Sequence, residues 1–195
     1  MRTFAIVMLI LGVLFLVSQI LIKRSTNKTE GHSYTVVKDY GEFEVRKYEP
    51  ALFSYTVMAS DSYKNVSGKG FRRLAGYIFG DNDKNQKIAM TTPVAMDMSD
   101  SITMKFKVPS DLDLEDLPKP NNSTVRFAKE EEKIVAAIRF SGKSTDKQIS
   151  KYTDKLKKAL DDKGLAYTGN FSYLGYNPPY EVIGRRNEVV VELVQ

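Results

Sequence analysis

The chain has 195 residues, 42% of them hydrophobic, with 29 Lys and Arg against 24 Asp and Glu, enough for one packed domain and an appendage. It contains no cysteine and one histidine, His32. That excludes disulfides, thiolate metal sites, cysteine nucleophiles and histidine-rich metal centres, and makes any Ser-His-Asp triad depend on His32.

The first segment reads MRTFAIVMLILGVLFLVSQILIKRSTNK. Phe4 to Ile22 carry no charge, and a helix of that length spans roughly 28 Å, close to the thickness of a bilayer's hydrocarbon core. The apolar run ends in Gln19-Ile20-Leu21-Ile22 and then Lys23-Arg24, not in a small-x-small exit. This favours an uncleaved single-pass anchor over a cleaved signal sequence. Arg2 and the terminal amine on one side nearly balance Lys23, Arg24 and Lys28 on the other, which leaves the orientation open. Beyond residue 30 the chain holds 25 basic and 23 acidic residues, too even for a nucleic-acid footprint. The expected organisation is an anchor (or signal) and linker over 1–30 and a globular domain over 31–195.

From Gly31 the hydrophobic period switches repeatedly between 2 and 3.6. EFEVRKYE and Leu52–Ala59 alternate as half-buried strands, broken at Glu49-Pro50. Val66, Phe71, Leu74 and Ile78 then recur at helical spacing and predict a helix over 62–80 that ends at Gly80. QKIAMTTPVAMDM and ITMKFKVP read as two strands joined by Ser99, Asp100 and Ser101, and DLDLEDLPKPNNS is a polar loop between two halves. In the second half TVRFAKEEE and KIVAAIRFSG read as a strand pair, Thr145 to Leu160 as an amphipathic helix, and LAYTGNFSYLGY and RNEVVVEL as two more strands. A repeated strand, helix, strand, strand order predicts one α+β domain in which two sheets close on each other, with a helix against each.

In KIAMTTPVAMDM, Ile88, Met90, Thr92, Val94, Met96 and Met98 share one face of the strand, and Ala89, Thr91, Pro93, Ala95 and Asp97 the other. The methionines therefore point one way, into a core whose irregular space they fill, and Pro93 marks a bulge or a sheet edge. Gly142-Lys143-Ser144 looks like the end of a phosphate-binding loop, but the required first glycine falls on Ala137. The segment reads as a turn at Gly142, then Thr145 capping the helix with Gln148 three residues on. His32 sits at the junction of linker and first strand, a poor place for an axial iron ligand. Glu130, Glu131 and Glu132, beside Lys129 and Lys133, read as a solvated hairpin tip. Lys69, Arg72 and Arg73 lie off the first helix's apolar face, either simply solvated or able to clamp a flat ligand that bears carboxylates. Gly175, Asn177, Pro178 and Pro179 force an irregular loop that presents Tyr173, Tyr176 and Tyr180, suited to a flat apolar ligand or to local packing.

KIAMTTPVAM resembles the signature of the SOUL family of haem-binding proteins. GYNPPYEVIGRRNEVVVEL resembles that family's other marked segment, and YGEFEVRKYEP its usual first strand. The resemblance runs from about Tyr34 to Leu193. It implies a distorted antiparallel β-barrel flanked by two helices, binding of haem and related tetrapyrroles, and no characteristic catalytic residues, with 31–195 as the SOUL domain. It also implies a porphyrin site against the first helix, at Lys69, Arg72, Arg73, Ala75 and Gly76, and against the loop Tyr176, Asn177, Pro178, Pro179 and Tyr180. Some relatives carry methionine and lysine near that helix end where this chain has Ala75 and Gly76, so Arg72 or Arg73 would have to meet the propionates. The axial histidine proposed for some members has no counterpart in the body of this chain. The other readings on the same scaffold are an enzyme using Glu or Tyr as acid or base on a large hydrophobic substrate, and a module for another flat ligand or a protein partner.

Overall fold

The structure, a computed structural model, describes residues 2–59, 62–99 and 101–194. Met1 and its amine, the side chain of Arg2, and Asp100 of the expected turn lie outside the described residues. In chain order the elements are α1 (Arg2–Lys28), β1 (Tyr34–Asp39), β2 (Glu44–Tyr48), β3 (Ala51–Met58), α2 (Tyr63–Ile78), β4 (Val94–Met98) and β5 (Ile102–Lys107). They continue with β6 (Arg126–Glu130), β7 (Lys133–Phe140), α3 (Asp146–Asp162), β8 (Tyr167–Gly175) and β9 (Asn187–Leu193).

The strands form one nine-stranded sheet in the order β1-β2-β7-β9-β8-β4-β5-β3-β6, antiparallel at every pairing. It curls into a half-barrel, so that Glu130 at the β6 edge and Lys133 and Val135 of β7 line one cavity. Period-2 alternation divides the side chains between the two faces. Met96, Met104, Phe106, Tyr173, Val189 and Val191 face outward and form the main core with Leu74 and Ile78 of α2 and Leu156 and Leu160 of α3. Tyr48, Val135, Ala137, Leu174 and Val190 form a smaller core inside the curl. This is the α+β fold with two flanking helices that the duplicated pattern predicts, but the two expected sheets are one continuous sheet, joined where β4 pairs with β8.

The duplication is visible in the pairing. β4-β5-β3-β6 on one side repeats as β8-β9-β7-β2 on the other, and β4 and β8 meet where the halves join. The leading strand of each half is lent to the opposite half: β2 pairs with β7, and β6 with β3. Residues 124–132 and 133–142 are therefore not the hairpin their sequence suggests. Glu131-Glu132, the two residues between them, offer neither Gly nor Asn for the positive φ that a two-residue hairpin turn requires, and the chain crosses the mouth of the curl instead. In the acidic run Glu131 and Glu132 are exposed as expected, whereas Glu130 is drawn in against the sheet. Glu130 pairs with Lys105 at 2.6 Å and with Lys133, and Glu132 with Lys47 at 2.8 Å.

Three further expectations change in detail. The methionine segment is a strand only from Val94; before it Thr92 bridges to Gly31, and Thr92 N–H donates to Glu30 O at 2.8 Å. Met96 points into the main core as expected, at 1% exposure. Phe71, expected on the core face of α2, lies at its rim, and the buried stripe is Val66, Gly70, Leu74, Ala75, Tyr77 and Ile78. Gly70 permits the close approach of helix to sheet, since a Cβ there would lie 2.7 Å from Met58 Sδ. β1 was not marked by alternation, because as an edge strand it exposes nearly every residue, Val36 and Val37 included. Thr145 caps α3 as expected, its Oγ1 accepting from Gln148 N–H at 3.2 Å.

Candidate functional site

α2 lies on β3 and β5 with its basic residues outward. Lys69 and Arg72 are exposed and, among the described residues, make no ion pair. Arg73 is half-buried, and its Nη1 donates to Thr56 Oγ1 at 3.4 Å. Phe71, at 37% exposure, shows one edge to solvent, its ring 5.4 Å from Phe106. Ala75 points into the core, and Gly76 belongs to the closing turn, where its carbonyl accepts from Asp81 N–H at 2.9 Å. Of the five helix positions, Lys69 and Arg72 are thus the cations free to meet carboxylates, with the Phe71 ring between them in sequence.

The second expected segment is the β8–β9 loop, which is braced from within. Asn177 Oδ1 accepts from Arg186 N–H at 2.6 Å, and the Arg185 guanidinium donates to Pro179 O and Asn177 O. Tyr176 turns into the half-barrel, where its hydroxyl donates to Glu188 Oε2 at 2.8 Å and its ring lies 3.9 Å below the Arg186 guanidinium. Tyr180, at 65% exposure, is the loop tyrosine whose ring is free. The loop's outward hydrogen bonds run to α1: Gln19 Nε2 donates to Tyr180 O at 3.3 Å, Val182 N–H to Gln19 Oε1 at 3.0 Å, and Thr26 Oγ1 to Glu181 Oε2 at 2.8 Å.

Inside the curl lies a charge cluster that no motif in the sequence marks. Glu188, fully buried, receives Arg46 in a fork at 2.7 and 3.1 Å and Arg186 Nε at 2.9 Å. Burial alone would push its carboxyl up, but the hydrogen bonds and charges of Arg46, with Arg186 and Tyr176, outweigh burial and hold it below the ordinary range. Burial first, and then the Glu188 charge, raise Tyr176 well above the ordinary phenol value. The Arg46 guanidinium also stacks 4.4 Å from the Tyr34 ring. Each charge here is answered by a partner, so the cluster acts as a latch joining β2 and β9 to the β8–β9 loop. Beside it a cavity of about 480 Å³ is lined by Asp97, Lys105, Glu130, Lys133, Ser172 and Glu192, among others, over a floor that includes Val135 and Val190.

His32 is held, not mobile. Its Nε2 lies 2.8 Å from Glu49 O, and its ring packs 4.6 Å from Tyr48 and 5.4 Å from Phe53. Burial lowers its pKa. The segment after α1 is pinned to the sheet by the Glu30–Lys107 ion pair as well.

A half-barrel with a helix on each half of its outer face is an architecture shared with solved structures. The EcmrR C-terminal domain superposes with a TM-score of 0.61 at 8% identity over 83% of this chain and 98% of that one. A hydrolase from Listeria innocua does so with 0.58 at 10% identity, over 88% and 97%. At these identities the likeness is one of fold. Family membership comes from the sequence: residues 29–192 match the family model described as SOUL heme-binding protein, and the chain belongs to that family. Heme-binding protein 2 of Mus musculus is 31% identical over 158 residues, covering 76% of this chain and 77% of that protein. Heme-binding protein 1 of Xenopus laevis is 27% identical over 160 residues, covering 78% and 84%.

Proposed function

We propose that residues 31–195 bind haem or a related tetrapyrrole, as carrier, buffer or sensor, and that α1 tethers them to a membrane. The observation that carries this reading is the family match, which spans the whole half-barrel and both of its helices. Geometry favours a site on α2. Lys69 and Arg72 would meet the propionates, the exposed edge of Phe71 would offer apolar contact, and Arg73 would support from its bond to Thr56. Tyr176 and Asn177 shape the β8–β9 loop, and Pro178 and Pro179 stiffen it. His32 has Nε2 occupied by Glu49 O, so the reading requires no histidine on the iron. The role is one of binding, in keeping with the names of the relatives. α1 is long and apolar enough to cross a bilayer.

The test is a titration of hemin into the full chain in detergent, followed at the Soret band, with Lys69→Ala and Arg72→Ala alongside. The expected result is saturable binding that weakens about tenfold when a charge-assisted hydrogen bond is lost. Binding indifferent to both substitutions would move the site off α2, and no saturable binding would remove haem as the ligand.

A further inference from the structure

The β8–β9 loop and α1 form one continuous apolar surface. Phe4 to Val17 of α1 are exposed, and Gln19, at 7% exposure, interrupts them as a buried amide. Gln19 uses both ends of that amide on the backbone of the loop, at Tyr180 O and Val182 N–H. This pairing turns the side chains of Tyr180, Val182 and Ile183 away from the domain, at 65%, 55% and 48% exposure. Four residues further along α1, Lys23 Nζ stands over Gly184, and Thr26 holds the buried Glu181.

We infer that Tyr180, Val182 and Ile183 enter the boundary of a lipid bilayer beside α1, a contact that rests on the reading of α1 as a membrane anchor. Depth along the helix is the first reason. Gln19 lies about 6 Å to the apolar side of Lys23, and the loop is fastened at that level, within the shallow zone that interfacial apolar residues occupy. Backbone chemistry is the second. Peptide groups near hydrocarbon need protein partners, and Gln19 supplies one donor and one acceptor where the loop leaves water. Charge is the third: Lys23, Arg24 and Lys28 are exposed on the domain side, where they match anionic headgroups. Tyrosine at this level suits the interface as well. The partner is therefore a bilayer.

Because the chain has no cysteine, single-cysteine variants can report depth. Ile183→Cys, Val13→Cys in the middle of α1 and Leu114→Cys on an exposed loop are each labelled with a nitrobenzoxadiazole dye. They are reconstituted into vesicles of phosphatidylcholine and phosphatidylserine containing spin-labelled lipids. The Ile183 label should shift to the blue and be quenched by shallow spin labels, the Val13 label by deep ones, and the Leu114 label by neither. If Val13 is quenched while Ile183 behaves like Leu114, the inference is overturned and the anchor stands. If Val13 also escapes quenching, the anchor reading fails and takes the inference with it.

Discussion

Glu188 has no contact with water, yet it is ionised because Arg46, Arg186 and Tyr176 all donate to it. Glu188→Gln keeps the shape but leaves Arg186 without a carboxylate and Arg46 with Glu44 alone, and should cost about 3 kcal/mol in urea unfolding. The pH dependence has a definite sign. The folded carboxyl lies below its ordinary value of 4.5, so its contribution is fully present above that value and is lost as pH falls through the folded value. Urea midpoints measured on acidification should therefore fall less steeply in Glu188→Gln than in the parent chain. This latch was not legible in sequence. Arg46 and Glu188 sit in strands where alternation places them on a polar face, and nothing local says that this face curls round to meet itself. Met96 was legible for the converse reason, since the outward face is covered by helices and the apolar period runs through Val94, Met96 and Met98.

Among the elements, the two domain helices begin beside each other and share a residue. Thr145 caps α3, and Asp146, in the first turn of α3, accepts the Tyr63 N–H of α2 at 2.8 Å. Thr145→Ala should cost about 1 kcal/mol through α3 alone. Asp146→Ala should cost more, because it also uncovers an amide at the start of α2; equal losses in thermal melts would contradict the shared cap. Thr145 and Gln148 announce the cap of α3 in the sequence, whereas the bridge to Tyr63 joins residues 83 apart and has no local signature. The helices themselves were readable from their 3.6 period, apart from Phe71, whose place in the stripe is taken by Gly70. Strand ends were less so, because the pinning of Thr92 to Gly31 and Glu30 is a tertiary event that shortens β4.

For the whole molecule, the duplication was readable as an order of elements, while the exchange of leading strands was not, since alternation reports which face is buried and never which neighbour a strand takes. That exchange makes the two halves mutually dependent. A chain interrupted in the exposed loop at Leu114 would yield one piece whose β2 lacks β7 and another whose β6 lacks β3. The first piece alone carries a β1–β2 pair cut loose from the sheet, the second an unpaired β6, and each has half of a core, so both should aggregate or remain unfolded. Produced together, the two should recover the circular dichroism spectrum and a single cooperative melt, and failure to do so would mean the loop contributes more than a connection. In evolutionary terms, a tandem copy of one half would have gained a stable partner by trading strands with its twin. In practical terms, the domain offers a ready point of division for a two-piece reporter whose signal appears only when both pieces meet.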